Sequence, residues 1–310
     1  MPVSSLEINS TSIKDTEDAL RLCVESARSD FQIDDAVMAQ ARAAFSIEQA
    51  SRLSPGLVRE VFEGIVTGQK PSRGFVALSE LGALTWILPE LAQGENLTQN
   101  RFHKHDIFFH SVYACDAVEE PNLPLRLAAL LHDIGKSTTR RVKANGEASF
   151  HNHEVVGARQ TARILRRFGF EEDIIRRVTF LVRNHMFHYT PEWTDQAVRR
   201  FAKRVSPEQM DDLIALRMAD RKGSGKRATI PRPIFDFLAH IKRIREQENE
   251  LTVRHLALNG LDLSRLGVEP GPIMGDLLRG LLLRVKSGEL ANTAPELEAA
   301  VKIELGVRGL

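Results

Sequence analysis

The chain has 310 residues, of which 43% are hydrophobic and 27% charged, and its formal net charge at pH 7 is +1. This composition is typical of a globular protein, and the length allows several domains or one large helical domain with additions. The first residues lack an apolar core with a basic cluster, and no stretch approaches ~18 uninterrupted apolar residues, so a secreted or membrane-spanning protein is not expected.

Charge is distributed unevenly along the chain. Residues 136–245 contain 24 Lys and Arg and 12 Asp and Glu, a balance of +12, whereas the remainder has a balance of −11. A basic segment favours an anionic substrate such as a phosphate ester or a nucleic acid. The alternative is that many of these arginines, for example Arg163, Arg166 and Arg167, belong to solvated helix faces.

Helical periodicity extends through nearly the whole chain, and capping residues mark several helix starts. Asp34 precedes one helix, whereas Ser54 and Pro55 begin another that Gly68 ends. Further helices are predicted over 15–27, 75–84, 105–118, 125–131, 153–168, 173–185, 191–203, 206–220, 234–250, 272–285 and 295–305. Only residues 140–150 have a weak strand pattern, in which Asn145-Gly146 turns a short hairpin or belongs to a loop.

The chain has two cysteines, Cys23 and Cys115, and both lie in amphipathic helical stretches. This placement indicates buried free thiols in a reducing compartment rather than a disulfide or a metal pair. We therefore expect a cytoplasmic protein.

His132 and Asp133 are the most informative pair, because they follow an apolar run at the end of a predicted buried helix. An imidazole and a carboxylate are costly to bury without a partner, and a divalent metal ion is a suitable one. A single His is more often a core or capping residue, but four more residues of ligand type occur within the helical pattern. They are His110, His153, His185 and Asp220. The resulting order, His, His-Asp, His, His, Asp, resembles that of the HD-domain superfamily of metal-dependent phosphohydrolases.

Four imidazoles and two carboxylates suffice for two adjacent divalent ions, and these ligands suit Mn, Ni, Co, Mg, Fe or Zn without selecting among them. We expect Asp133 to bridge the two ions. His110, His132 and Asp220 are expected to hold one ion, and His153 and His185 to complete the other. Such a pair activates water, neutralises phosphate charge and holds a leaving group in line.

Other residues near these ligands are candidates for substrate binding or for supporting the ligands. Lys136, one helical turn beyond Asp133, is placed to meet a phosphate oxygen, or it is a solvated lysine after a helix end. Asn152, Glu154 and Asn184 flank ligands and are candidates for contacts with them. Arg140 is a candidate substrate contact, and His103 is expected at the rim of the cleft rather than on the metal.

Longer stretches support a narrower resemblance. From about residue 19 to 300 the chain is similar to the neck, body and tail of class II tRNA nucleotidyltransferases (CCA-adding enzymes) and of bacterial poly(A) polymerases that carry an HD domain. The matching stretches are 78–84, 88–91, 105–111, 127–136, 150–154, 258–263 and 270–272. The resemblance implies a helical body that holds tRNA and, in some such HD domains, hydrolysis of phosphates such as 2′,3′-cyclic ends.

The chain departs from these relatives in two respects. Their nucleotide-adding head needs a strand with Asp-x-Asp and a glycine-rich turn before the body, and the 310 residues do not contain this pattern. We therefore expect this chain alone to add no nucleotide to tRNA. Asn152 also stands where the relatives usually have Gly, which affects the shape of the second metal site.

These observations predict an all-α protein, an HD-domain helical bundle with N-terminal and C-terminal helical extensions. The predicted parts are a neck-like region at 1–98, a hydrolase domain at 99–245 and a tail at 246–310. The leading hypothesis is a divalent-metal-dependent phosphohydrolase that acts on an RNA end, tRNA included, or on a nucleotide. Its substrate group would be a 2′,3′-cyclic phosphate, a 2′-phosphate or a phosphomonoester. A small-nucleotide phosphohydrolase without an RNA partner and a non-catalytic tRNA-binding module are the alternatives, and the sequence leaves the oligomeric state open.

Overall fold

A computed structural model of the chain describes residues 13–29, 32–99, 104–119, 122–142, 144, 147–187, 189–205, 207–225 and 232–308. These residues are mainly helical, which confirms the predicted all-α class. The α-helices are α1 (Thr16–Arg28), α2 (Asp35–Ala44), α3 (Ile47–Ala50), α4 (Pro55–Val66), α5 (Pro71–Leu81), α6 (Leu84–Ile87), α7 (Pro89–Ala92), α8 (Ile107–Asp116), α9 (Leu123–Leu131), α10 (Lys136–Thr139), α11 (His153–Arg167), α12 (Glu172–Asn184), α13 (Asp195–Arg204), α14 (Pro207–Gly223), α15 (Arg232–Glu250), α16 (Gly260–Arg265), α17 (Pro272–Lys286) and α18 (Ala294–Arg308). A 3₁₀ helix covers Val253–His255. Within the described residues, no helix combines the length and apolar character that crossing a membrane requires.

Side-chain caps explain where several helices begin. The Asp34 carboxylate accepts a hydrogen bond from the backbone N–H of Val37, and the Ser54 hydroxyl accepts one from Leu57. These bonds satisfy N–H groups that have no partner inside the helix, so both predicted starts are confirmed. Helix α5 ends earlier than predicted, because Gly82 has a φ of 80° and a left-handed residue terminates a helix.

The weak strand pattern corresponds to a short antiparallel hairpin. Strand β1 (Arg141–Val142) pairs with β2 (Ala148–Ser149), with Arg141 opposite Ser149 and Val142 opposite Ala148. The predicted turn residues, Asn145 and Gly146, lie outside the described residues. The hairpin leads directly into α11, whose first residue is His153.

The chain divides into two compact units. One comprises residues 1–187 and 208–229, and the other comprises residues 188–207 and 230–310. The first unit contains α1–α12, the hairpin and nearly all of α14, so the predicted neck-like region shares one unit with the predicted ligands. The three-part division at 98/99 and 245/246 stays a prediction.

The first unit is built on a continuous series of packed helices. Helix α1 packs against α4 and α5, α5 against α8, α8 against α9, α9 against α12, and α12 against α11. An aromatic stack joins α4 to the C-terminal end of α11, where the Phe62 ring lies 4.1 Å from that of Phe168. Burying one such side chain contributes about 1.5–3 kcal/mol, so this contact stabilises the packing of the first unit.

The second unit has two apolar clusters of its own. Aromatic rings from α13, α15 and the segment before α13 meet edge to face, with Trp193 5.8 Å from Phe201 and 6.0 Å from Phe237. Leu263, Leu281 and Leu297 lie in a separate leucine-rich core formed by α16, α17 and α18. His240 of α15 is buried and hydrogen-bonded to Tyr189 and Asp195.

Both cysteines are buried and free, as predicted. Burial raises the pKa of the Cys23 thiol to about 12 and raises that of Cys115 as well, because a thiolate has no water around it there. We expect neither thiol to react with Ellman's reagent in the native protein at pH 8. In denaturant both should react, and a native protein that titrates two thiols at once would contradict the burial of these residues.

Candidate metal centre

Helix ends in the first unit bring the six predicted ligands together. His132 and Asp133 directly follow α9, and His185 directly follows α12. His153 begins α11, whereas the remaining two ligands, His110 and Asp220, project from α8 and from the last turn of α14. The ligands therefore come from five helices, most of which are packed against one another.

The first group of donor atoms surrounds one oxygen of Asp133. The Nε2 atoms of His110 and His132 are 3.0 Å apart, and each lies 3.2 Å from Asp133 Oδ2. Asp220 Oδ1 lies 3.3 Å from His110 Nε2. Four side chains thus direct two imidazole nitrogens and two carboxylate oxygens toward one point.

The second group surrounds the other oxygen of the same carboxylate. The Nε2 atoms of His153 and His185 are 3.3 Å apart. Asp133 Oδ1 lies 3.3 Å from the first and 3.6 Å from the second. Within each of the two groups, the donor atoms of the imidazoles and Asp133 lie within 4.8 Å of one another.

The opposite nitrogen of each imidazole fixes which atom faces the centre. The Nδ1 atoms of His132, His153 and His185 lie 2.7–2.8 Å from the carbonyl oxygen of the residue three positions earlier. A carbonyl only accepts, so each Nδ1 carries the proton in the neutral ring and each Nε2 presents a lone pair.

His110 is arranged similarly by a hydroxyl group. Ser224 Oγ donates its proton to the Asp220 carbonyl and lies 3.4 Å from His110 Nδ1. The hydroxyl oxygen therefore accepts a hydrogen bond from the Nδ1–H group of His110. Lone pairs on neighbouring Nε2 atoms about 3 Å apart repel unless a cation or a proton lies between them. The donor set therefore fits divalent metal ions, with outer contacts of the kind that orient ligating histidines.

Charge in the metal-free centre is balanced by protons and by Lys136. Burial lowers the pKa of His110, but hydrogen bonds and charges from Asp133 and Asp220 outweigh it and raise this pKa to about 9. Burial raises the pKa of Asp133, but electrostatic interactions with His132 and Lys136 and hydrogen bonds from His110 and His132 outweigh it and hold this pKa well below its ordinary value. The carboxylates are thus ionised at neutral pH, as metal ligands must be.

Metal uptake at pH 7 is expected to release protons. Because the pKa of His110 is raised to about 9, this ring is protonated in the metal-free protein and a metal ion must displace that proton. Metal affinity should therefore rise with pH until about pH 9. Titration calorimetry in buffers of different ionisation enthalpy measures the protons released, and an affinity that does not change between pH 6 and pH 8 would contradict this assignment.

Lys136 is buried beside the ligands rather than solvated. Its ammonium lies 2.6 Å from Asp133 Oδ2 and donates to Gln99 Oε1 at 2.6 Å. The amide of Gln99 therefore helps to hold a cation against the central carboxylate. The predicted contact between Lys136 and a phosphate oxygen stays a prediction.

A cavity of about 450 Å³ opens onto the donor atoms. Its size is in the range of small-molecule sites. Two arginines of α14, Arg217 and Arg221, line it together with Lys136, and an apolar wall lies nearby. That wall includes Ala148, Phe150 and Met186. The sequence places these arginines near a predicted ligand, because they lie three residues before and one residue after Asp220. The spacing alone does not show whether their side chains face the cavity.

The other predicted contacts lie at different distances from the centre. Glu154 Oε2 comes within 3.8 Å of His153 Nδ1, whereas the Asn184 side chain donates to the Phe180 carbonyl in its own helix. Asn152 has a φ of 61°, a left-handed conformation that Gly and Asn adopt most readily, and this explains how Asn replaces Gly there. Arg140 directly follows α10 and is half-buried, and His103 lies outside the described residues.

A glycine permits the approach of α14 to α8. A Cβ atom at Gly223 would lie 2.7 Å from the backbone nitrogen of Ala114. Backbone contacts this short cannot be relieved by turning a side chain. The absence of a side chain at Gly223 therefore lets Asp220, three residues earlier, reach His110.

Comparisons with known proteins agree with this geometry. Residues 104–222 match the HD domain family, and this range contains all six predicted ligands. The chain is 33% identical over 252 residues to the A-adding tRNA nucleotidyltransferase of Deinococcus radiodurans, with 79% of this chain and 57% of that protein aligned. It is 30% identical over 230 residues to the CC-adding tRNA nucleotidyltransferase of Thermus thermophilus, with 73% of this chain and 51% of that protein aligned.

A solved structure shares the fold. The Bacillus stearothermophilus CCA-adding enzyme, crystallised in complex with CTP, matches 95% of this chain and 63% of its own with a TM-score of 0.50 and 14% sequence identity. The chain therefore carries an HD domain and is homologous to tRNA nucleotidyltransferases over the portion that contains it, which confirms the predicted resemblance. It spans about half the length of the two curated relatives.

Proposed function

We propose that this HD-domain protein is a divalent-metal-dependent phosphohydrolase that acts on an RNA end or a nucleotide. The observation that carries the proposal is the division of one buried carboxylate between two groups of imidazoles. Asp133 directs Oδ2 toward His110 and His132 and Oδ1 toward His153 and His185. A bridging carboxylate of this kind belongs to centres that hold two ions a few ångström apart, so we propose two ions.

Divalent ions held there would lower the pKa of bound water and neutralise the charge of a phosphate. The protein's own contribution is to present the ligands in fixed orientations. Arg217 binds Asp220 Oδ2 at 2.8 Å, which leaves Oδ1 directed at His110. The Lys136 ammonium, which also donates to Gln99, binds Asp133 Oδ2. These contacts orient both carboxylates before an ion or a substrate binds.

The cavity favours a phosphate ester as the substrate. Its described lining includes three cationic side chains and two carboxylates, Asp133 and Asp220, so the cations exceed the carboxylates by one. Adding divalent ions makes the surplus of positive charge larger, which attracts an anion. The substrate groups that fit this description are a 2′,3′-cyclic phosphate, a 2′-phosphate and a phosphomonoester.

We propose an RNA end, with tRNA as the candidate, because the relatives at 33% and 30% identity are tRNA nucleotidyltransferases by name. The surplus of 12 basic residues in residues 136–245 supports this choice. The size of the cavity, about 450 Å³, favours the second candidate function, hydrolysis of a free mononucleotide without an RNA partner.

One screen tests the proposed function. The purified protein is loaded with Mn, Ni, Co or Mg and given cyclic and linear phosphate esters, both as RNA ends and as mononucleotides. We expect hydrolysis that stops on chelation and returns when metal is restored. Elemental analysis that finds no bound metal after purification without chelator would contradict the proposal.

Salt dependence separates the two candidate functions. Binding to RNA through Lys and Arg should weaken log-linearly as salt rises, because counterions are released from the phosphates. The small-nucleotide enzyme would be favoured if the protein hydrolysed mononucleotides as fast as RNA ends and had no measurable affinity for RNA at low salt.

A further inference from the structure

Helix α14 presents one face to the cavity of the metal centre. Arg217, Asp220 and Arg221 of α14 and Ser224, which directly follows the helix, have the spacing i, i+3, i+4 and i+7, and all line the cavity. Asp220 directs an oxygen at His110, and Ser224 lies beside the same ring. The two arginines of this face are therefore held at the centre by the same helix that supplies a ligand.

The cations of the cavity differ in what they already bind. The Lys136 ammonium is held by Asp133 at 2.6 Å, and the Arg217 guanidinium by Asp220 at 2.8 Å. Both thus neutralise carboxylates of the metal centre. Arg221 is different, because its Nε is buried and has no hydrogen-bond partner among the described residues.

A buried donor without a partner is uncommon in proteins, and it costs about 1–3 kcal/mol unless a ligand or an ion satisfies it. A guanidinium offers its N–H groups in a planar fork that matches the oxygens of a phosphate. We infer that Arg221 binds the non-bridging oxygens of the substrate's phosphate group. This inference rests on the proposed function for the identity of the site, but it concerns a binding contact that is measurable without turnover.

The test measures the affinity of the Mn-loaded protein for inorganic phosphate and for adenosine 5′-monophosphate by titration calorimetry. Three variants are compared, namely Arg221→Gln, Arg221→Lys and the control Arg166→Gln. Arg166 is exposed on α11 and pairs with Glu172, so the control makes the same chemical change away from the cavity. Elemental analysis of each variant reports whether the metal centre is intact.

We expect Arg221→Gln to keep its metal and to bind both probes about 10- to 100-fold more weakly, the range for loss of a hydrogen bond to a charged group. Arg221→Lys should lose less, because it keeps the charge but not the fork, and the control should bind as the wild type does. Unchanged affinity in Arg221→Gln would overturn the inference. Loss of metal from that variant would overturn it too, since Arg221 would then act on the ligands.

Failure of this inference and failure of the proposed function give different results. If the wild type binds phosphate through Arg221 but hydrolyses none of the esters in the screen, only the proposed function fails. If the wild type hydrolyses an ester and Arg221→Gln retains full phosphate affinity, only the inference fails.

Discussion

Replacing Asp133 by alanine is expected to abolish hydrolysis. Asp133 supplies one oxygen to each group of imidazoles, whereas the other candidate carboxylate, Asp220, lies beside the imidazoles of the first group. The loss should exceed the ~10- to 100-fold that follows removal of an outer contact to a metal ligand. Metal content should fall at the same time, which elemental analysis of the purified variant measures.

The helices that carry the ligands should survive this substitution. Leu127, Leu130 and Leu131 of α9 are fully buried and pack independently of the carboxylate. In the metal-free variant, however, the buried Lys136 ammonium loses its ion-pair partner, and breaking a buried pair costs about 3–5 kcal/mol. Denaturant unfolding should therefore show a folded but less stable protein.

Asp173→Ala is a matched control for Asp133→Ala. Asp173 lies on α12, and its side chain is 86% exposed and paired with Arg176. Removing an exposed pair of this kind changes stability by about 0–1 kcal/mol, so turnover and metal content should stay at the wild-type level. If both variants kept metal and turnover alike, the role given to Asp133 would be wrong.

The second large effect is expected from Gly135→Ala. A Cβ atom at this position would lie 2.2 Å from the His153 carbonyl oxygen and 2.6 Å from the backbone nitrogen of Gly157. Both atoms belong to the backbone of α11, so the start of that helix must move. Such overpacking costs about 1–3 kcal/mol, and we expect a loss at the upper end because no side chain can yield.

The movement should also change the metal centre selectively. His153 begins α11, so displacing that helix separates His153 from Asp133 and weakens the second group of ligands more than the first. Elemental analysis should then find less metal per chain, alongside a lower midpoint of denaturant unfolding.

Gly280→Ala provides the comparison for Gly135→Ala. A Cβ atom at Gly280, in the interior of α17, would meet no atom within 4 Å. Alanine in a helix is more favourable than glycine by about 0.5–1 kcal/mol, so this variant should be as stable as the wild type or slightly more stable. If the two variants had the same metal content and the same unfolding midpoint, α11 would be able to move away from residue 135 without loss of stability.

Local features of the fold were predictable because they depend on residues a few positions apart. The caps at Asp34 and Ser54 act on N–H groups three residues later, so a short stretch of sequence contains both partners. Gly82 also acts locally, because its left-handed conformation ends α5 at Leu81. Periodicity alone predicts that this helix continues to residue 84. Helical periodicity likewise indicated which faces are buried, as the free thiols of Cys23 and Cys115 show.

The sequence by itself determined the residue types of the candidate centre and their order, from His110 to Asp220. It also indicated an all-α fold and the kinship with tRNA nucleotidyltransferases, because these depend on patterns along the chain. Conversely, the order of the ligands contains no information about which oxygen of Asp133 faces which imidazole.

Only the tertiary structure decided how the centre is assembled, since its partners are far apart along the chain. His110 and Ser224 are 114 positions apart, and Lys136 meets Gln99 across 37 positions. The backbone carbonyls that hold the ligating imidazoles, and the glycines that let α11 and α14 approach, have no signature in the spacing of polar residues. The physical reason is that these contacts form when packed helices meet, and packing depends on the shape of the whole unit rather than on any one segment.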